Sequence, residues 1–425
     1  MSTTLAPPPP STSTPPLSPS SVVVLADDRD VLGEGPVHDP RTGRLYRVDI
    51  EGKKVLSVDL TRAKARKEGE TAPASAVVGE TPEPVGCLCL TSDPKLLLVA
   101  LSRSVYALDV TSGKLSESPL ATLPESEGVE GLRFNDGKVS PGGTFVIGRL
   151  HARWRDGMKG AVYALRKRAP AAAAAGPDGA PGPDGSSPEK WALERVLGPE
   201  EVGMGNGMAW RPKRSRRGGE GAPGHAAGGG CEGAEKEEEG EGEEGREALD
   251  FFVVDSAAKT VQRFDADPLT GIPVSGTGRT VLDAADFGGA VPDGMDVDGD
   301  GMLWIALAET GTVARFDPDA RAAGRPLSRR ATLRLPLTRV TSCAFGAAAT
   351  GGGGDGAGGG GGGPDFSATL FVTSREEASK LREEASPVAG AVLLVADVAG
   401  AARVGRGEGE RAISAGRPVP AVVEL

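Results

Sequence analysis

The sequence predicts an all-β fold, a six-bladed β-propeller. Three observations carry that expectation. A pair of short, apolar, β-branched runs recurs six times along the chain. Successive pairs lie about 50 residues apart once three low-complexity tracts are set aside, a spacing that marks propeller blades. Almost no segment shows the periodicity of an amphipathic helix, which argues against a doubly wound α/β fold.

The six copies follow in order. Leu45–Asp49 leads through Gly52 to Val55–Asp59, and Leu96–Ala100 leads to Val105–Asp109. Thr144–Gly148 leads to Ala161–Leu165, and Phe251–Asp255 to Val261–Asp265. Leu303–Leu307 leads to Val313–Asp317, and Leu370–Ser374 to Ala391–Val395. Each copy reads as a strand, a short turn, and a second strand that usually ends in Asp. Paired strands repeated in this way close into a ring around a central channel.

The rest of the 425 residues is poorer in fold information. Residues 169–187 are rich in Ala, Pro and Gly; 213–246 run from basic through Gly-rich to acidic; 347–363 are nearly all Gly and Ala. None can bury enough apolar surface to offset its ordering entropy, so all three are expected to be disordered insertions at loop tips. Residues 1–26 are expected to form a disordered leader, with the propeller spanning 27–425. Val22–Ala26 is too short for a signal-peptide core, and no basic segment precedes it. The Ser/Thr content of the leader leaves an organellar transit peptide open, but the first Arg is Arg29, whereas such peptides are Arg-rich. A cytoplasmic protein is the expectation.

Part of the net charge of −11 comes from the acidic run 232–247. No basic stripe is interleaved with aromatics, so nucleic acid is not an expected partner. No apolar run approaches the ~20 residues of a membrane span, so a membrane is not expected either. Of the four cysteines, Cys87 and Cys89 lack the two-residue gap of a zinc knuckle, and no second pair follows. Cys87, Cys89, Cys231 and Cys343 are expected to be small apolar residues in a reducing compartment.

Four polar motifs stand just ahead of the repeated strands: Leu32-Gly-Glu34-Gly-Pro36, Arg133-Phe-Asn135-Asp136-Gly137-Lys138, Gly205-Asn206-Gly207-Met208-Ala-Trp210 and Pro292-Asp293-Gly294-Met295. Read singly, each is a turn, because Asn-Gly and Asp-Gly are common turn dipeptides. Read together, they place carboxylate and amide oxygens in separate blades, and a propeller brings such positions to one channel. Oxygen donors converging there suit a divalent cation.

These motifs resemble the senescence marker protein / gluconolactonase / luciferin-regenerating enzyme family, which includes regucalcin. The resemblance runs from Leu32 to Ser374, interrupted by the three tracts. It is most specific at Gly33–Tyr46, at Arg133–Lys138, and at Pro292–Met295 leading into Leu303-Trp304; Thr341–Gly346 adds a further match. The resemblance implies a six-bladed propeller with one divalent cation at the channel mouth. It implies that Glu34, Asn206 and Asp293 are the metal ligands and that Asp293 is also the catalytic base. It implies that Arg133 and Asn135 line the substrate site. Asp156 takes the place of a family carboxylate, one methylene shorter than the usual Glu.

Two carboxylates and an amide are hard ligands that suit Ca²⁺, Mg²⁺ or Mn²⁺, and Zn²⁺ tolerates them. The implied activity is a metal-dependent hydrolase that opens a gluconolactone-like sugar lactone with metal-activated water. Two alternatives stay open: another hydrolase on the same scaffold, a phosphotriesterase or a different lactonase, and a non-catalytic calcium-binding propeller module.

Other routes are weaker. The histidines are His38, His151 and His225, and no Gly-x-Ser-x-Gly elbow is present. His151 is expected in a surface loop. Asp296-Val-Asp298-Gly-Asp300-Gly301 faintly resembles a calcium loop but lacks its final Glu, and a hairpin turn is expected there. Trp210 and Trp304 are expected to pack blades. His38 and Arg47 stand where the family often has Trp, and Gly148-Arg149-Leu150 replaces a usual Gly-Thr-Met, so the pocket is expected to differ.

Overall fold

The computed structural model describes residues 16–17, 21–62, 74–127, 130–168, 190–213, 247–325, 328–337, 339–347, 369–376, 391–396 and 423–424. The expected insertions, apart from residues 213 and 347, lie outside the described residues, as do 1–15 and 18–20 of the expected leader.

Two strands precede the ring, β1 (Pro16–Leu17) and β2 (Ser21–Asp27). The first blade holds β3 (Gly33–Asp39), β4 (Arg44–Asp49), β5 (Lys54–Asp59) and β6 (Ala76–Glu80). The second holds β7 (Val85–Leu90), β8 (Leu96–Leu101), β9 (Ser104–Asp109) and β10 (Ala121–Thr122). The third holds β11 (Leu132–Val139), β12 (Phe145–His151), β13 (Val162–Lys167) and β14 (Trp191–Leu197). The fourth holds β15 (Gly205–Pro212), β16 (Leu249–Asp255), β17 (Thr260–Ala266) and β18 (Arg279–Leu282). The fifth holds β19 (Val291–Val297), β20 (Leu303–Ala308), β21 (Thr312–Phe316) and β22 (Arg329–Arg334). The sixth holds β23 (Val340–Phe345), β24 (Leu370–Ser374) and β25 (Ala391–Ala396).

The fold is the six-bladed β-propeller that the repeats predict, and each predicted strand pair is the second and third strand of one blade. Among the described residues there is no α-helix, only single 3₁₀ turns at Glu125–Glu127 and Trp154–Asp156. No helix among them is long and apolar enough to cross a membrane.

The ring closes with chain from its two ends. β2 runs antiparallel to β25, with Val22 opposite Val395 and Val23 opposite Leu394. It thereby supplies the fourth strand of the last blade. The expected leader of residues 1–26 is therefore too long at its C-terminal end. Val22 and Val24 pack on the sixth-blade core, and Leu25 and Ala26 are buried against Phe371 and Leu45, which fixes this segment as a strand. β1 adds a short parallel edge to β22.

Apolar layers between blades hold the ring, and the two tryptophans anchor them. Trp210 and Trp304 are fully buried, as expected of blade-packing residues. Their indole N–H groups donate to the Gly271 carbonyl at 2.6 Å and to Asp298 Oδ2 at 2.9 Å. The Asp296–Gly301 stretch is the expected hairpin turn: Asp298 Oδ1 accepts the N–H groups of Asp300 and Met302, and Asp300 pairs with Arg315.

The innermost strands β3, β7, β11, β15, β19 and β23 pack side by side around the channel. The ladder register of all six shifts near the strand start: between Glu34 and Val37, Val85 and Cys87, Phe134 and Gly137, Gly205 and Met208, Pro292 and Met295, and Val340 and Ser342. A bulge interrupts the strict in–out alternation of side chains and re-aims those it contains. Glycine makes this tight ring possible. A Cβ on Gly207 would sit 2.3 Å from the Met295 nitrogen, and one on Gly294 would sit 2.1 Å from Ser342 Oγ.

Candidate functional site

The bulges gather the polar groups. Asn206 and Asp293 lie in the bulges of neighbouring strands, β15 and β19. Asn206 Nδ2 donates to Asp293 Oδ1 at 2.5 Å and to Ser256 Oγ at 3.0 Å. Ser256 Oγ in turn donates to the Pro292 carbonyl at 2.7 Å, so it must act as acceptor toward Asn206. The amide orientation follows: the flipped form would set a carbonyl oxygen against a carboxylate. With the nitrogen engaged twice, Asn206 Oδ1 is left buried and without a hydrogen-bond partner among the described residues. Leaving such an acceptor unsatisfied costs about 1–3 kcal/mol.

Glu34, in the β3 bulge, is buried, and its Oε2 accepts the Gly35 N–H at 3.3 Å. Gly35 itself takes φ +55°, a left-handed conformation that glycine adopts without strain. Burial, then the charges of Asp293 and Asp136, hold the Glu34 carboxyl well above the usual range. Burial, then Asp136, pushes Asp293 up to about 7. Burial raises Asp136 to about 6, with Lys138 opposing the rise. Three carboxyl groups, one buried and two half-buried, thus lie within electrostatic reach of one another, with too few donors to stabilise three anions.

Arg133 and Asn135 form the next layer. Arg133 Nη1 donates to Asn135 Oδ1 at 2.9 Å and to the Phe134 carbonyl at 3.0 Å. Asn135 Nδ2 donates to the Gly205 carbonyl at 3.2 Å, so its amide ties the third blade to the strand that carries Asn206. The guanidinium of Arg133 acts electrostatically on both Glu34 and Asp293.

The structure brings Glu34, Arg133, Asn135, Asn206 and Asp293 into one region. It does not bring Asp156 with them. Asp156 closes the 3₁₀ turn Trp154–Asp156, its side chain is 59% exposed, and it pairs with Arg153 Nε at 2.9 Å. That local ion pair and the left-handed Gly157 that follows keep the short carboxylate in solvent.

Asp136 and Lys138 belong to the Arg133–Lys138 motif, and nothing in the sequence alone marks a role for them. Strand alternation lets one of two consecutive residues face inward, whereas the β11 bulge lets Asn135 and Asp136 both serve the channel. His151 is not in a surface loop. It ends β12, is buried, accepts the Arg153 N–H at Nδ1 (3.0 Å), and so carries its proton on Nε2, 2.9 Å from the Glu130 carbonyl.

Arg47 and Arg149, two of the departures from the family pattern, are structural attachments, whereas His38 also lines a cavity with Asp136 and Lys138. Arg47 is fully buried and bound to Asp30 (2.7 Å), Asp28 (2.5 Å) and Ser75 Oγ (2.8 Å), which fastens the end of β2 to the first blade. Burial lowers His38 to about 4, and its Nδ1 accepts the Ala347 N–H at 3.0 Å. Arg149 lies over the Phe134 and Tyr163 rings and donates to the Glu127 carbonyl.

Among the described residues, no three His, Cys, Asp or Glu side chains converge as a metal site. A cation here would therefore depend on the Asn206 amide beside the carboxylates. The residues present fit one: an orphaned amide oxygen and two carboxyl groups whose ionisation a cation would restore.

The sequence matches the family described as SMP-30/Gluconolactonase/LRE-like region over residues 32–216 and 246–351, more than half of the chain. It is 26% identical over 335 residues to regucalcin of Gallus gallus, covering 78% of this chain and 84% of that one. It is 24% identical over 329 residues to YvrE of Bacillus subtilis (strain 168), which carries, provisionally, the name of a sugar lactone lactonase; 76% of this chain and 82% of that one are covered. Its fold is similar to a calcium-binding regucalcin of Agrobacterium tumefaciens, with a TM-score of 0.61 at 20% identity over 96% of this chain and 98% of that one. A luciferin-regenerating enzyme gives a TM-score of 0.59 at 18% identity, over 96% of this chain and 100% of that one.

Proposed function

The chain belongs to the SMP-30/gluconolactonase/LRE-like family, and from that premise we propose that it is a metal-dependent hydrolase that opens a sugar lactone of the gluconolactone kind. The observation that carries this reading is the pinned Asn206 amide, whose buried Oδ1 has no partner among the described residues and stands beside Asp293 in the channel that also holds Glu34.

Glu34, Asn206 Oδ1 and Asp293 would hold the cation, which supplies Lewis-acid polarisation and a lowered pKa for bound water. Ca²⁺, Mg²⁺ and Mn²⁺ suit this oxygen set, and Zn²⁺ tolerates it. Asp293 is the base: it takes a proton from the attacking water while Asn206 Nδ2 keeps its carboxylate in place. Arg133, held by Asn135 and the Phe134 carbonyl, presents its remaining N–H groups to substrate oxygens and to the developing oxyanion. Burial of the carboxyl groups strengthens these interactions by keeping bulk water out. Cys87, Cys89 and Cys343 are buried and unpaired, in keeping with a reducing compartment such as the cytoplasm.

A second reading is a non-catalytic calcium-binding propeller; its calcium-binding part is in keeping with the regucalcin described as calcium-binding. One experiment separates the two. Hydrolysis of glucono-δ-lactone is followed in a pH-stat with Ca²⁺, Mn²⁺, Zn²⁺ or EDTA. A metal-dependent rate above the spontaneous background is expected. Cation binding without such a rate would favour the second reading or a different lactone or phosphotriester substrate.

A further inference from the structure

Lys138 lies one turn of the strand pleat below Asp136 on β11. Its Nζ donates to Asp296 Oδ1 at 2.7 Å and to the Met295 carbonyl at 3.2 Å, both on β19. β11 and β19 belong to the third and fifth blades, so this side chain crosses the channel. Asp296 continues the link, because its Oδ2 accepts the Phe345 N–H of the sixth blade at 2.8 Å. Asp136, Lys138 and Asp296 line one cavity of about 110 Å³, which also touches Gly35 and Pro36 beside Glu34.

We propose that the Lys138 ammonium is a built-in cation that fills the channel position beside Asp296 and the Met295 carbonyl and so limits this channel to one exogenous divalent cation. The count of one rests on the metal-centre reading above. Charge balance supports it. Glu34, Asp136, Asp293 and Asp296, with Glu51 acting on Arg133, contribute five carboxylates. Arg133, Lys138, Arg375 and one divalent cation match them. Without Lys138 the channel keeps an uncompensated carboxylate, and desolvated anions of this kind draw a counter-ion or a proton. The groups it leaves are hard oxygen donors, Asp296 Oδ1 and the Met295 carbonyl, with the Asp136 carboxyl lining the same cavity, and Ca²⁺ accepts donors of this kind. A tethered ammonium outcompetes a free ion for this position because its effective concentration is high.

The test is the number of Ca²⁺ ions bound per chain, read by calorimetric titration of the metal-free full chain. Wild type is expected to bind one ion, Lys138→Ala two, and Lys138→Ala with Asp296→Asn one. Equal counts in wild type and Lys138→Ala would overturn the proposal, as would two ions in wild type. If wild type binds none and Lys138→Ala binds one, the inference about Lys138 stands and the metal-centre reading fails. If Lys138→Ala folds only when Ca²⁺ is present, the ion has replaced the ammonium and the proposal holds. Failure to fold with or without Ca²⁺ would count against it.

Discussion

Asp293 and Asp298 stand near opposite ends of the same strand, β19; Asp298 is buried and Asp293 is half-buried in the channel. Asp298 is fully furnished with donors: the N–H groups of Asp300 and Met302 on one oxygen, Trp304 Nε1 and Arg315 Nε on the other. Among the described residues Asp293 has the Asn206 amide as its one hydrogen-bond donor and lies near other carboxyl groups, with Arg375 and Arg133 acting on it only through their charge. A carboxylate that holds the fold together is encoded with its donors nearby in the chain. One left short of donors in a desolvated channel lowers stability unless something outside the chain completes it, and that shortfall marks the site more sharply than burial does.

The two residues should therefore fail in opposite ways. Asp293→Ala is expected to lower kcat for lactone opening by about 10²–10⁴, the contribution of a positioned base. Its metal-free melting temperature at neutral pH should be no lower than that of wild type. Asp298→Ala removes one of the two carboxylates on Arg315, leaving it Asp300, and strands the Trp304 N–H; it is expected to destabilise by about 3–5 kcal/mol, the range for breaking a buried ion pair. Its activity per folded molecule should persist. Denaturant unfolding and pH-stat assay of both variants check this, and an Asp298 variant as stable as the Asp293 variant would break the contrast.

The pH dependence of the metal-free protein sharpens the contrast further. Asp293 rises from an ordinary value of 3.8 to about 7 in the folded chain, and Asp136 from 3.8 to about 6. Between those limits the folded chain binds more protons than the unfolded one, so stability falls as pH rises from about 4 to about 7. A bound cation holds the carboxylates ionised and removes that slope, and its binding releases protons. Melting temperatures across this window in EDTA and in saturating Ca²⁺ should diverge as pH rises. Parallel curves would show that the channel carboxyl groups are not linked to a cation.

Asn206 divides the same effect between its two ends. Asn206→Ala removes an acceptor that has no partner, so metal-free stability should change by less than about 1 kcal/mol net of the two lost donor bonds. The stabilisation that Ca²⁺ gives to wild type should largely disappear. Melting with and without Ca²⁺ measures both quantities on one sample.

The parts legible from sequence are those encoded locally. Each hairpin announces itself through β-branched runs and Asp or Gly punctuation, which is why the six blades could be counted. Glu34, Asn206 and Asp293 stand out because each has glycine beside it, and their proposed role comes from the family resemblance rather than from local pattern. Pairings across the ring left no local trace. Lys138 meets Asp296 from 158 residues away. β2 looks like the tail of a leader until β25 lies beside it. His151 looks exposed until the Glu130 carbonyl and the Arg153 N–H take both its nitrogens.

Asp156 offers the smallest expected effect and the cleanest check on site assignment by motif. Its carboxylate is exposed and paired with Arg153, three residues before it. A solvent-exposed pair of this kind contributes about 0–1 kcal/mol. Asp156→Ala should therefore leave melting temperature, Ca²⁺ affinity and kcat nearly unchanged. A selective rise in KM at constant kcat would show instead that the Trp154–Asp156 turn closes over bound substrate, and the site would then extend from the bulges of the inner strands to the loops that join the second and third strands of each blade.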